Sequence, residues 1–129
     1  MTKQNLRLLD ANLNRLREGI RVVEDIYRYI FNDKKTATEL KNLRHNSRID
    51  LYNELLNSRD IQNDVLKTST VSEQNRKDLT SILIANFKRA QESSRVLEEF
   101  GKLIDTKTSE NFKDIRYKLY HLEKTIPQI

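Results

Sequence analysis

The sequence predicts an all-α fold, a helical bundle of two pseudo-symmetric long-short helix hairpins with about four or five helices. Three observations carry that expectation. Two glycines and one proline in 129 residues are too few for the tight turns of a sheet protein. Apolar residues recur at spacings of three and four over long stretches. A twenty-residue pattern also occurs twice, as ANLNRLREGIRVVEDIYRYI at 11–30 and ANFKRAQESSRVLEEFGKLI at 85–104, ungapped at an offset of 74 and identical at eight positions.

The first helix is expected from about Leu6 to Phe31, with Leu6, Leu9, Leu13, Leu16, Ile20, Val23, Tyr27 and Ile30 on one face. Asn32-Asp33 stops it, since Asn tolerates the left-handed position after a helix. Thr36 and Glu39 form a capping box for a second helix through Leu40, Leu43, Leu51, Tyr52 and Leu55. Residues 57–71 have no clear period and read as a long loop, the kind that is often functional. A second box, Thr70 with Glu73, opens a third helix to about Ile104, with a break expected near its first turns. The fourth covers roughly Ser109 to Lys124, and Pro127 ends it. Leu40-Lys-Asn-Leu-Arg44 resembles Phe112-Lys-Asp-Ile-Arg116, so the repeat extends past the long helices. One domain, 1–129, is expected, with repeat units 11–56 and 85–125 around the connecting loop 57–71. Gly19 and Ser93 are equivalent, and small residues there would let the long helices cross closely.

With 24 basic and 19 acidic residues the net charge is +5, and the signs are interleaved. That suits a soluble protein with anionic ligands rather than a nucleic-acid binder. The chain has no cysteine, which excludes disulfides and thiolate chemistry, and its two histidines lie far apart. No signal peptide or membrane-length apolar run is visible, so the cytoplasm is the expected compartment.

Five of the eight repeated identities are polar. On a wheel of ~100° per residue, Asn12, Arg15 and Glu18 run from the buried face to its rim, and Asn86, Arg89 and Glu92 repeat them. The outer pairs, Arg21/Glu24 and Arg95/Glu98, read as ordinary surface ion pairs worth roughly 0.2–0.5 kcal/mol. On the second helix Arg44, Ser47 and Arg48 interrupt the apolar stripe. A guanidinium there needs either a carboxylate across the bundle, such as Glu18 or Glu92, or a bound phosphate. His45 lies off that stripe. The loop carries Arg59, Asp60, Asp64 and Lys67; its carboxylates suit Mg²⁺, or it is simply solvated. No GxxxxGK[ST] or GxGxxG pattern is present, so any phosphate would be held by side chains.

Four stretches in order, LDANLNRLREGIRVVED, LRH at 43–45, SRDIQND at 58–64 and ANFKRAQESSRVLEEFGKL, resemble the helical, non-ribokinase hydroxymethylpyrimidine-phosphate kinase family, a domain often fused in front of a thiamine-phosphate synthase barrel. The resemblance covers about residues 9–104. It implies ATP-dependent phosphorylation of hydroxymethylpyrimidine phosphate to the diphosphate, with Mg²⁺. Under it, Arg15, Glu18, Arg89 and Glu92 become the candidate catalytic residues. Asn12, Asn86, Arg44, Arg48 and Arg59 become candidates for substrate and phosphate, and Asp60 and Asp64 for the metal. The expected partners are ATP and the pyrimidine phosphate, with a homodimer and a thiamine-phosphate synthase as further candidates. The sequence stops at Ile129 with no room for a (β/α)₈ barrel. The expectation is therefore a phosphotransferase and not a synthase. The alternative is a non-catalytic helical module that binds a synthase or senses the pyrimidine phosphate.

Overall fold

The computed structural model describes residues 1–127. Helix α1 (Lys3–Asp25) runs into a π-helical turn at Ile26–Ile30, followed by α2 (Lys34–Asn46), α3 (Tyr52–Ser58), the single turn α4 (Val71–Gln74), α5 (Leu79–Gly101) and α6 (Thr106–Glu123). The described residues are helices and connecting segments, with no strand, as the composition predicts. The two long helices, α1 and α5, pack on each other. Helices α2 and α3 cover α1, α6 covers α5, and α2 meets α6.

The core lies where the apolar spacing places it. Leu9, Leu16, Ile20 and Val23 of α1 meet Leu83, Phe87, Ala90 and Leu97 of α5, with Leu40, Leu43, Phe112, Ile115 and Leu119 from the shorter helices. Burying one side chain such as Phe87 or Phe112 contributes roughly 1.5–3 kcal/mol. Gly19 allows the close crossing. A Cβ built on it would stand 3.2 Å from the Asn86 carbonyl oxygen and 3.4 Å from the Ala90 Cβ. Ser93, its counterpart, is buried and donates its hydroxyl back to the Arg89 carbonyl at 2.7 Å.

The ends of α1 and α2 follow local chemistry. Asn32 takes the left-handed conformation (φ 52°), and Asp33 Oδ1 accepts the Thr36 amide at 3.0 Å to cap α2. The cap is therefore three residues earlier than the Thr36 box: α2 already begins at Lys34, so Thr36 lies inside its first turn and not ahead of it. Asp78 and Ser81 form a reciprocal capping box for α5. Thr70 does cap a helix, with Oγ1 accepting the Glu73 amide at 3.3 Å, but that helix is only the one-turn α4.

The second helix is not continuous. It stops at Asn46, and residues 47–51 turn before α3. Ser47 is buried and donates Oγ to the Leu43 carbonyl at 2.7 Å, which occupies the last turn. A serine and an Arg-Ile-Asp stretch give no glycine or proline to mark this break in the sequence.

The repeat has a structural meaning that surface pairing misses. Glu24 is 1% exposed and receives Arg44 through Nε at 2.6 Å and Nη2 at 3.2 Å. Glu98, 6% exposed, receives Arg116 through Nη2 at 2.8 Å and Nε at 3.2 Å. Equivalent acids on the long helices thus hold equivalent arginines on the short ones, one buried pair per hairpin. The surface-pair reading fails for Arg21/Glu24, which do not meet; Arg95 and Glu98 do pair at 3.0 Å, but Glu98 itself is buried. Only Arg21, which meets Asp25, and Arg95, which meets Glu98 and Glu99, stay in solvent.

Candidate functional site

The groove begins with an acid on the apolar side of α1. Asp10 falls between Leu6 and Leu13 in the three-four spacing, and its side chain is 8% exposed. It is satisfied by Arg59, which donates Nε to Oδ2 at 2.8 Å and Nη2 to Oδ1 at 2.9 Å. This bidentate pair fixes the start of the 59–70 segment against α1. Arg7 adds a hydrogen bond from Nη2 to the Asp60 carbonyl at 3.0 Å. Pairing with Asp10, with a smaller attraction from Glu18, holds the Arg59 pKa above its ordinary value.

Between helix and segment lies an open groove of about 760 Å³. Helix α1 supplies Arg7, Asn12 and Arg15; the segment supplies Arg59, Asp60, Asp64 and Lys67. The structure therefore brings together five of the sequence candidates, Asn12, Arg15, Arg59, Asp60 and Asp64. Arg15 and Lys67 are exposed and have no ion-pair partner among the described residues. Asn12 is buried, with Nδ2 donating to the Leu8 carbonyl at 3.0 Å, which leaves its Oδ1 and a second N–H. Chemically the groove offers a free cation and an amide from α1 and a second free cation from the segment.

Other candidates lie elsewhere. Arg44 is corrected: its guanidinium is committed to Glu24, not to Glu18, Glu92 or a phosphate, and that pairing raises its pKa. Arg48 stands in solvent with Asp50 at 2.8 Å, away from this groove. Asn86 donates to the Ile82 carbonyl at 2.8 Å, as Asn12 does to Leu8, yet neither it nor Arg89 nor Glu92 lines the groove. Glu18 is exposed beyond the groove's lining. The wheel set Arg15 too deep because Val22 widened the apolar arc, and Val22 is 38% exposed.

The metal assignment changes as well. Asp60 Oδ1 accepts the amides of Gln62 and Asn63, and Oδ2 accepts Asn63 Nδ2 at 2.7 Å. Those bonds, the Asn63 side chain first, hold its pKa down and brace the 60–63 turn. Asp60 is therefore a turn residue. Asp64 uses Oδ1 for the Leu66 amide at 3.0 Å and keeps Oδ2. No group of three or more His, Asp or Glu side chains suited to a metal gathers among the described residues. The donor set fits only a Mg²⁺ that arrives with phosphates, which takes one or two carboxylates from a protein.

Sequence reasoning missed Asp10 and Arg7. Asp10 gave the same signal as Arg44, a charge on an apolar stripe. Its partner is 49 residues away, a distance no local spacing reveals.

Fold and site define a class: a helical-bundle domain with a cation-lined groove on one long helix. A family model for the ThiD2 family matches residues 7–125, and the chain belongs to that family. Relatives named thiamine-phosphate synthase include one from Thermosynechococcus vestitus, 42% identical over 121 residues. That match covers 93% of this chain and 34% of the relative. One from Synechocystis sp. is 42% identical over 118 residues, covering 91% and 34%. One from Rhodopirellula baltica is 40% identical over 120 residues, covering 89% and 32%. The chain thus spans about a third of the length of these relatives. No solved structure matches. The relatives overturn the expectation of a phosphotransferase set apart from the synthases: nearly all of this chain aligns with proteins carrying the synthase name. No helix among the described residues is long and apolar enough to cross a membrane.

Proposed function

We propose that the chain serves thiamine biosynthesis by binding hydroxymethylpyrimidine phosphate in the α1 groove and supporting its ATP-dependent phosphorylation to the diphosphate. One observation carries this reading: two exposed cations without an ion-pair partner among the described residues, Arg15 of α1 and Lys67 of the 59–70 segment, line a groove that also holds the Asn12 amide. A phosphate ester of an aminopyrimidine has the complementary groups, a dianion and a ring edge with donors and acceptors. Family membership and the relatives' names support the pathway.

The acceptor in this reaction is a phosphate oxygen, largely deprotonated at neutral pH. The protein needs no strong base and supplies charge and position. Arg15 and Lys67 offset the acceptor's charge, Asn12 orients the ring, and the Asp10–Arg59 pair holds the two walls in register. Mg²⁺, when bound with nucleotide phosphates, neutralises charge, with Asp64 as its protein carboxylate.

The test is ADP release by pure protein with Mg²⁺, ATP and hydroxymethylpyrimidine phosphate. Arg15→Ala is expected to weaken turnover or pyrimidine-phosphate binding about 10- to 100-fold, the range for losing a charged hydrogen bond, with the melting temperature unchanged. A folded sample that binds but does not release ADP would sink the phosphorylation and leave a sensing module. One that does not bind would sink the reading altogether.

A further inference from the structure

The break between α2 and α3 opens a second groove, of about 730 Å³, on the other side of the Asp10–Arg59 pair. It is walled by Leu13, Asn14 and Arg17 of α1, His45 at the end of α2, Arg48 in the 47–51 turn, and Tyr52 with Leu56 of α3. Three features separate it from a solvated crease. Tyr52 is 72% exposed at its mouth, an aromatic ring with no ring partner among the described residues. Arg17 and His45 are exposed and have no ion-pair partner there. Arg48 is held only by Asp50, in a pair so exposed that a phosphate can displace it. The sequence offers no Gly-rich phosphate loop, so a polyphosphate would have to be met by side chains of this kind.

Arg59 is the one cation that lines both grooves. Its carboxylate partner Asp10 and its neighbour Asn14 are also shared between them. Arg59 thus stands at the boundary of the two grooves.

We propose that the second groove takes the nucleoside triphosphate, its base against Tyr52 and its phosphates along Arg17 and Arg48 toward Arg59. The proposal rests on the first groove holding the acceptor. In the transfer an acceptor phosphate oxygen bonds to the terminal phosphorus, and the bond from that phosphorus to the bridging oxygen breaks. The electron pair leaves with the nucleoside diphosphate. The summed charge of the fully deprotonated reactants and products is equal, so no proton need be gained or lost. Arg59 stands where the migrating phosphoryl group carries its charge, and an arginine already fixed by a carboxylate is pre-positioned for that task.

The experiment measures two ligands separately on the full chain: a fluorescent ATP analogue by titration and hydroxymethylpyrimidine phosphate by calorimetry. Tyr52→Ala and Arg17→Ala are expected to weaken the nucleotide at least fivefold, the low end for a lost aromatic–base stack, and to leave the pyrimidine phosphate unaffected. Arg15→Ala is expected to do the reverse. Tyr52→Phe should restore nucleotide affinity, because the stack needs the ring and not the hydroxyl. Circular dichroism establishes that each variant is folded. Nucleotide binding that ignores both substitutions, or is absent while the pyrimidine phosphate binds, overturns this proposal and leaves the first groove intact. Tyr52-dependent nucleotide binding without pyrimidine-phosphate binding upholds the nucleotide groove and removes the acceptor assignment.

Discussion

Replacing Arg44 with methionine tests the central structural claim, that Glu24 is a buried acid kept in place by one cation. Methionine retains much of the apolar stem and removes the guanidinium. The Glu24 side chain is 2% exposed and Arg44 14%, so solvent screens the pair little. Both carboxylate oxygens are engaged by Arg44, at 2.6 and 3.2 Å. Stripping the cation from a buried pair of this kind costs about 3–5 kcal/mol, because the carboxylate is left without compensation. For a domain whose total stability is about 5–15 kcal/mol, that is a third or more of the whole. The assay is urea unfolding followed by far-ultraviolet circular dichroism. The double variant Glu24→Leu with Arg44→Met should recover most of the loss, since two apolar side chains of similar volume can replace a buried pair at little cost. The other hairpin supplies an internal comparison. Glu98 is met by Arg95 at 3.0 Å as well as by Arg116, and Arg116 also lies 5.0 Å from the Tyr117 ring centroid. With Arg95 remaining, Arg116→Met should cost less than Arg44→Met. A loss below about 1 kcal/mol for Arg44→Met, the value of an exposed pair, would refute the reasoning. So would a double variant no better than the single one.

Two further expectations follow from the packing and the caps. Gly19→Val places a branched side chain where even a Cβ stands 3.2 Å from the Asn86 carbonyl, so it should lose about 1–3 kcal/mol or more to overpacking; a neutral result in urea unfolding would mean that α1 and α5 separate easily. Asp33 and Asp105 have pKa values lowered below the ordinary 3.8, chiefly by the Thr36 and Thr108 amides respectively. Their contribution is complete above that ordinary value and is lost as the pH falls through the lowered folded-state values. Asn at both positions keeps the caps without titrating, so Asp33→Asn with Asp105→Asn should flatten the decline of the urea midpoint below pH 3.8; an unaltered slope would move the acid sensitivity to other groups.

Periodicity located the core and the long helices because the three-four spacing of Leu9, Leu16, Ile20 and Val23 is a direct record of which face is buried. The repeat showed that two halves share a frame. It did not show why five polar residues are shared. Glu24 and Glu98 looked like rungs of a surface ladder, since a wheel carries no information about what lies across from a boundary position. Their partners, Arg44 and Arg116, come from other helices. Arg44 itself was visible as a misplaced charge, and Asp10 was visible in the same way. The sequence posed the need for a partner in both cases, and only the tertiary arrangement answers it. The 47–51 break was hidden for a different reason. It depends on a buried serine hydroxyl bonding back into the last turn, not on a residue that forbids a helix. Arg15 and Asp64 were singled out by their chemistry, and both lie on the lining of the first groove. Asp60 was misread because an Asx turn and a metal ligand use the same carboxylate.

The close crossing at Gly19 has a mechanical consequence. With room at Gly19 for little more than a hydrogen before the Asn86 carbonyl and Ala90 are met, α1 and α5 cross closely there. The α1 side of both grooves is therefore backed by its packing on α5. The opposite side of the first groove is the 59–70 segment, which is pinned to α1 through Arg59 and through the bond from Arg7 to Asp60. Beyond Asp60, the bonds at Asn63 and Leu66 reach back only three and two residues along the chain, and Ile61, Val65 and Leu66 are held out in water. The Asp10–Arg59 pair is thus the anchor from which the exposed part of that segment extends.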